Sequence, residues 1–274
     1  MQPHGGPPQK ITMPGVRSVI AVASGKGGVG KSTVSTNLAL ALAALGRRVG
    51  LLDADIYGPS IPIMMNVKET FDPNTTQWPL ERYGLKLMSM GFWVAPEKAM
   101  IWRGPMVHKW LTVFLTQIPW GELDHLIIDL PPGTGDAQLT LTQTAPLSGA
   151  VIVTTPQDVS LIDARKGLEM FREVRVPVLG IVENMSYFIG ADGNRYEIFR
   201  HGGGQKLAKE VNVPFLGEIP IDPKVAECGD NGDPIVHKYP DHPVSKTYLN
   251  LAVTVSEQIA KSTNDTAELP TLNL

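Results

Sequence analysis

A doubly wound α/β fold, a mostly parallel sheet with helices on both faces, is predicted by three observations. Apolar runs alternate with helical patterns along nearly all of the 274 residues, as strand–helix–strand crossovers require. Hydrophobic residues make up 43% of the chain, enough for a core covering both faces of a sheet. A glycine-rich loop joins the first apolar run to the first helical pattern, and acids close two later runs.

The elements follow in order. Residues 19–23, Val-Ile-Ala-Val-Ala, read as a buried strand, and residues 35–45 as the helix after the loop. Residues 48–53 form a second strand ending in Asp53, and residues 85–90 a further one. A helix over 105–118 carries Met106, Trp110, Val113 and Phe114 near one face. Residues 126–129 are the next strand, ending in Asp129, and strands at 150–154, 178–182 and 215–219 complete the parallel set. Helices at 161–174 and 203–211 lie between these, and one at 243–260 closes the fold. The expected organisation is a flexible Pro/Gly-rich segment 1–14, one domain over 15–262 and a loose tail over 263–274. The Met, Phe and Trp residues of 86–110 read more simply as a buried sheet edge and a core-facing helix than as a docking surface.

The loop carries the chemistry. Gly25, Gly30, Lys31 and Ser32 meet the pattern G-x-x-x-x-G-K-[ST] between a strand and a helix. Gly25, Gly27, Gly28 and Gly30 let successive N–H groups around Val29 face one point, and the helix beginning near Gly30 adds the positive end of its dipole. A nucleoside triphosphate fits such a cradle. Lys31 is expected to bridge the β- and γ-phosphates, Ser32 to offer its hydroxyl to Mg²⁺, and Thr33 to reach the α-phosphate. A glycine-rich turn that only packs a helix on a sheet is the competing reading.

Two acids stand at strand ends, where open α/β sheets bind ligands. Asp129, followed by Leu-Pro-Pro-Gly-Thr-Gly-Asp, reads as the acid that holds Mg²⁺ through water; a helix cap is the alternative. Asp53 and Asp55 project to the same side of their strand end. Asp55, further out, is placed to orient a water in line with the γ-phosphate, while Asp53 could equally be a solvated turn acid.

Composition limits the partners. A formal net charge of -3 gives no global basic field for nucleic acid or anionic lipid. No run of about 18 apolar residues occurs, and the N-terminus has neither a signal core nor an Arg-rich amphipathic pattern, so a cytoplasmic location is expected. Cys228 is the single cysteine, which leaves no internal disulfide and no multi-cysteine metal site within one chain. His201, His237 and His242 lack ligand spacing.

Lys26 makes the loop more specific. The run Lys26-Gly-Gly-Val-Gly-Lys31-Ser32 resembles the deviant phosphate loop of the Min and Par positioning ATPases, the nitrogenase iron protein and the Mrp/ApbC iron–sulfur carriers. Residues 120–124 with 126–136, 53–60, 102–106, 183–188 and 217–222 are similar to blocks of the Mrp/ApbC branch, with His125 standing where an aromatic or Val is usual. The resemblance covers roughly residues 14–260. It implies an ATP hydrolase that works as a nucleotide-sandwich homodimer, Lys26 acting on the partner's nucleotide. It also implies base contacts from Asn184 and the stretch Pro220 to Asp222, and iron–sulfur assembly proteins or apoprotein clients as partners. Asn184 could instead be a plain strand-end asparagine.

The chain also departs from that branch. After residues 186–188 the carriers usually place Cys-Pro-x-Cys, which across a dimer supplies four thiolates to a [4Fe–4S] cluster. Here residues 189–194 read Ile-Gly-Ala-Asp-Gly-Asn, a plain turn by composition. Asp192 is a hard ligand ill suited to replace thiolates, so no iron–sulfur ligand is identified and a cluster rests on the resemblance alone. A small N-terminal domain common in the branch is also expected to be missing. A positioning ATPase or a nucleotide-gated adaptor that carries no cluster is the alternative, but the tail is acidic and holds Pro270, unlike a basic membrane-binding helix.

Overall fold

The computed structural model describes residues 11–55, 58–67, 78–92 and 104–267. All seven expected strands form and lie parallel: β1 (Val16–Ser24), β2 (Val49–Asp53), β4 (Leu85–Ser89), β5 (Leu123–Asp129), β6 (Gly149–Thr154), β7 (Val178–Glu183) and β10 (Phe215–Glu218). An eighth, β3 (Leu80–Arg82), pairs antiparallel with β4 and makes the edge. The order across the sheet is β10-β7-β6-β1-β5-β2-β4-β3. A separate hairpin joins β8 (Phe188–Ile189) to β9 (Arg195–Tyr196).

Side chains alternate between faces along a strand, yet every residue of β2 and β6 is buried, as are the last seven of β1. Both faces are therefore covered. Among the helices, α1 (Lys31–Ala44) and α9 (Pro243–Ala267) pack on each other with α8 (Ile235–Lys238), while α5 (Asp158–Glu173) and α6 (Gly203–Glu210) cover β6 and β7. The short α2 (Ile61–Met64) meets α7 (Pro223–Asp230), and α3 (Gly104–Thr116) pairs with α4 (Asp136–Thr144). Helix α1 is buried without a break from Val34 to Leu42, so it is apolar or small all round rather than striped.

Several elements differ from expectation. Helix α9 continues to Ala267, so the backbone of the first five residues expected in a loose tail is helical. At the other end Ile11 N donates to Thr144 O at 3.5 Å, and Ile11 and Met13 pack on the core, so residues 11–14 are docked rather than flexible. Residues 1–10 and 268–274, like 56–57 and 102–103 of the family-like blocks and 93–101 of the Met-, Phe- and Trp-containing stretch, lie outside the described residues. No helix among the described residues is long and apolar enough to cross a membrane.

Candidate nucleotide site

Strand register brings the acids together. In the β2–β5 pairing Asp53 stands opposite Asp129, and in β2–β4 it stands opposite Ser89. Both carboxylates sit at the carboxyl end of the sheet beside β1, whose own end turns into the glycine loop. Gly28 and Gly30 adopt φ of 81° and 80°, the left-handed region in which a Cβ is strained. Ser24 Oγ donates to Lys26 O at 2.9 Å, and Gly133 N donates to Ser24 O at 2.9 Å, tying the glycine loop to the segment after β5.

Below the loop a polar cluster centres on Asp129, which is wholly buried. Lys31 Nζ donates to Asp129 Oδ2 at 2.8 Å and Ser32 Oγ to the same oxygen at 2.6 Å; Ser35 Oγ donates to Oδ1 at 2.6 Å. Lys31 Nζ is also 4.0 Å from Asp55 Oδ2. Lys31, Ser32, Asp55 and Asp129 thus come together as the sequence suggests. Ser35 is an addition: it lies on the same face of α1, one turn beyond Ser32.

Asp53 is not a solvated turn acid. It is fully buried, accepts from Asp55 N at 3.1 Å, Ile61 N at 3.3 Å and Ser89 Oγ at 3.0 Å, and so fixes the segment that carries Asp55. Burial, with the Asp129 carboxylate as second cause, pushes its carboxyl up to about 8, against the opposing pull of Lys31.

A cavity of about 740 Å³ opens over this cluster, a size suited to a nucleotide. It is lined by Lys26, Gly27, Gly28, Gly30, Lys31, Ser32, Thr33 and Asp55 of the loop and the β2 end, together with Asn184, Met185, Pro220, Asp222, Val225 and Ala226. Asn184 also braces the loop from the end of β7, since its Nδ2 donates to Val29 O at 2.8 Å. Asp222 likewise does two things: it lines the cavity and caps α7, accepting from Lys224 N at 2.8 Å. The sequence Asp222-Pro223 is a cap followed by proline at the first helical position, a legible start signal for α7. Lys26 is half-buried, lines the cavity rim and also a shallow hollow with Gln157, Asp158, Val159 and Arg200.

The residues where cluster thiolates are usual form the tip of the β8–β9 hairpin. Asp192 accepts from Asn194 N at 3.0 Å, Asn194 Nδ2 at 2.7 Å and Tyr196 Oη at 2.7 Å, which closes the turn. Cys228 is completely buried in α7, and burial raises its thiol. His237 Nδ1 lies 2.6 Å from Asp233 and His201 Nδ1 3.1 Å from Glu197, both at the surface. Among the described residues no group of three His, Cys, Asp or Glu could hold a metal.

Residues 15–256 match the ParA family in its form described as the NUBPL iron-transfer P-loop NTPase. The chain is 52% identical to the iron-sulfur cluster carrier protein of Aquifex aeolicus over 257 residues, 92% of this chain and 71% of that protein. It is 49% identical to the iron-sulfur cluster transfer protein NUBPL of Mus musculus, over 94% of this chain and 82% of that one. A nucleotide-binding protein from Archaeoglobus fulgidus, solved in complex with ADP, superposes with a TM-score of 0.72 at 40% identity, covering 84% of this chain and 91% of its own. The cell division ATPase MinD of Pyrococcus furiosus shares the fold, with a TM-score of 0.66 at 21% identity over 88% of this chain and 99% of its own. With its loop, acids and cavity in place, the chain belongs to the ParA/NUBPL family of iron-transfer P-loop NTPases.

Proposed function

We propose that this chain is a Mg²⁺-dependent ATPase that converts ATP to ADP and phosphate as a homodimer and serves the delivery of iron–sulfur clusters to apoprotein clients. The observation that carries the reading is the convergence of Lys31, Ser32, Asp55 and Asp129 beneath the glycine loop. The relatives named as iron–sulfur carriers and transfer proteins support the second half.

The chain's residues divide the work. Loop N–H groups and Lys31 hold the phosphates, Lys31 exchanging its contact with Asp129 for the β- and γ-oxygens. Ser32 Oγ, and Asp129 through water, would hold Mg²⁺; with no cage of three carboxylates or histidines among the described residues, phosphate and water complete the set, as suits that cation. When bound, Mg²⁺ offsets charge on the β- and γ-oxygens. Asp55 accepts a hydrogen bond from the attacking water. The water oxygen bonds to the γ-phosphorus, the bond to the β–γ bridging oxygen breaks, and ADP leaves with the electron pair. Lys26 of one copy neutralises that bridging oxygen in the other, in the manner of an arginine finger.

The cluster fits these residues poorly. Two copies of Cys228 make only two thiolates, and each is buried, whereas a [4Fe–4S] cluster takes four. In this reading the thiolates come from another protein, and the ATPase gates transfer of the cluster they hold. Wild type and Lys26→Ala, compared by phosphate release and by sedimentation with ATP, test the engine. Lys26→Ala is expected to lose roughly 10³-fold in turnover while still binding nucleotide, and unchanged hydrolysis would sink the trans-lysine mechanism. Anaerobic reconstitution with iron and sulfide, read by absorbance and iron content, is expected to leave no retained cluster on the purified chain. A stable [4Fe–4S] cluster would overturn the assignment of the thiolates elsewhere.

A further inference from the structure

Lys26 stands where two cavities meet. It lines the nucleotide cavity and also a hollow of about 430 Å³ whose other walls are Gln157, Asp158, Val159 and Arg200. The carboxylate of that hollow is Asp158, at the first position of α5, where the positive end of the helix dipole favours an acid. Among the described residues its ion pair is with Arg200 Nη1, whereas the Lys26 ammonium in the same hollow has neither an ion pair nor a hydrogen bond. Arg200 holds Asp158 from an unfavourable backbone. Its φ is 88°, in the left-handed region where a Cβ is strained and a glycine is not. The pair returns little stability, because its side chains are 69% and 63% exposed. Strain kept for a weak surface pair, beside the lysine on which the proposed chemistry depends, points to a use other than stability.

We infer that Arg200 is a positioning residue for Lys26: by occupying the Asp158 carboxylate it leaves the Lys26 ammonium unpaired and able to reach the nucleotide of a second copy. A lysine is a point charge on a flexible stem, and a fixed carboxylate in its own hollow would draw it in. With Arg200 in place that carboxylate is taken, and the guanidinium repels a second cation from the hollow. Other nearby cations do not replace it, since Arg165 pairs with Glu210 and Lys166 with Asp163. Without Arg200, Lys26 would pair with Asp158 and have to break that contact before each crossing. The inference rests on the proposed action of Lys26 on the partner's nucleotide.

Arg200→Gly removes the guanidinium and suits the backbone. Phosphate release from ATP at low ionic strength, where exposed charges are least screened, compares wild type with Arg200→Gly, Asp158→Asn and the double variant. Arg200→Gly is expected to lose about 2- to 5-fold in turnover, the range an exposed ion pair can impose, and to melt at an equal or higher temperature than wild type. In the Asp158→Asn background the same substitution is expected to cost nothing, because no carboxylate is left to capture Lys26. Undiminished turnover in Arg200→Gly overturns the inference. So does a loss of equal size in both backgrounds, which would mean that Arg200 acts without Asp158, and so does a lowered melting temperature, which would make the pair a structural prop. Lys26→Ala separates the two levels of the reading. If it turns over as wild type does, the action of Lys26 across the dimer fails and this inference with it, whereas a slow Lys26→Ala beside a normal Arg200→Gly removes this inference alone.

Discussion

Asp55 is held two residues beyond the end of β2, with an oxygen 4.0 Å from Lys31 Nζ and its backbone N–H on Asp53 Oδ1. That arrangement gives the two acids different roles, Asp53 as buried scaffolding and Asp55 as the carboxylate that faces the cavity. Asp55→Asn keeps the shape and removes the charge proposed to orient the attacking water. Its turnover is expected to fall roughly 10²- to 10³-fold while an ATP-bound dimer accumulates in sedimentation runs; normal turnover would show that another group orients the water. At this scale the sequence is legible where a residue acts through its own type. Lys31, Ser32 and Asp129 meet as their spacing suggests. Ser35 and Ser89 are not legible, because a serine in a helix and a serine at a strand end look ordinary until the fold brings them to the site.

Elements set the precision of the loop. A Cβ on Gly25 would fall onto the backbone of Asp163 in α5, whereas one on Gly27 would meet nothing within 4 Å. Backbone cannot move aside as a flexible side chain can. Gly25→Ala is therefore expected to cost about 1–3 kcal/mol in denaturant unfolding, with Gly27→Ala close to wild type in the same assay. Equal stabilities would mean that α5 does not clamp the loop. The seven parallel strands are legible because buried strands are continuous apolar runs. The antiparallel β3 and the β8–β9 hairpin are not: Leu80–Arg82 is three residues of mixed polarity, and Phe188–Ile189 pairs across a turn closed by Asp192 side-chain bonds. Helix α4 is hidden by its threonines and its weak apolar stripe, Ala-Gln-Leu-Thr-Leu-Thr.

Across the whole molecule the two ends of the sheet carry opposite electrostatics. At the amino ends, Asp124 of β5 accepts from Arg48 N at 2.9 Å and pairs with Arg48 at 3.3 Å and Arg17 at 3.2 Å. Those bonds, the Arg48 N–H first, hold its carboxyl down to about 2. Its contribution to stability is present above the unfolded value near 4 and is lost as pH falls toward 2. Asp53 at the carboxyl ends has the reverse sign. With a folded value of about 8 against an unfolded value near 4, the folded state holds a proton that the unfolded chain has released. Its contribution is largest below pH 4 and shrinks as pH rises toward 8. The ligand-free protein should therefore lose melting temperature between pH 5 and pH 8, where Asp124 is silent, and Asp53→Asn, which carries no titrating proton, should flatten that slope. Thermal melts of both proteins across this window, with nucleotide and Mg²⁺ absent, make the comparison. A slope unchanged by the substitution would assign the pH dependence to another group.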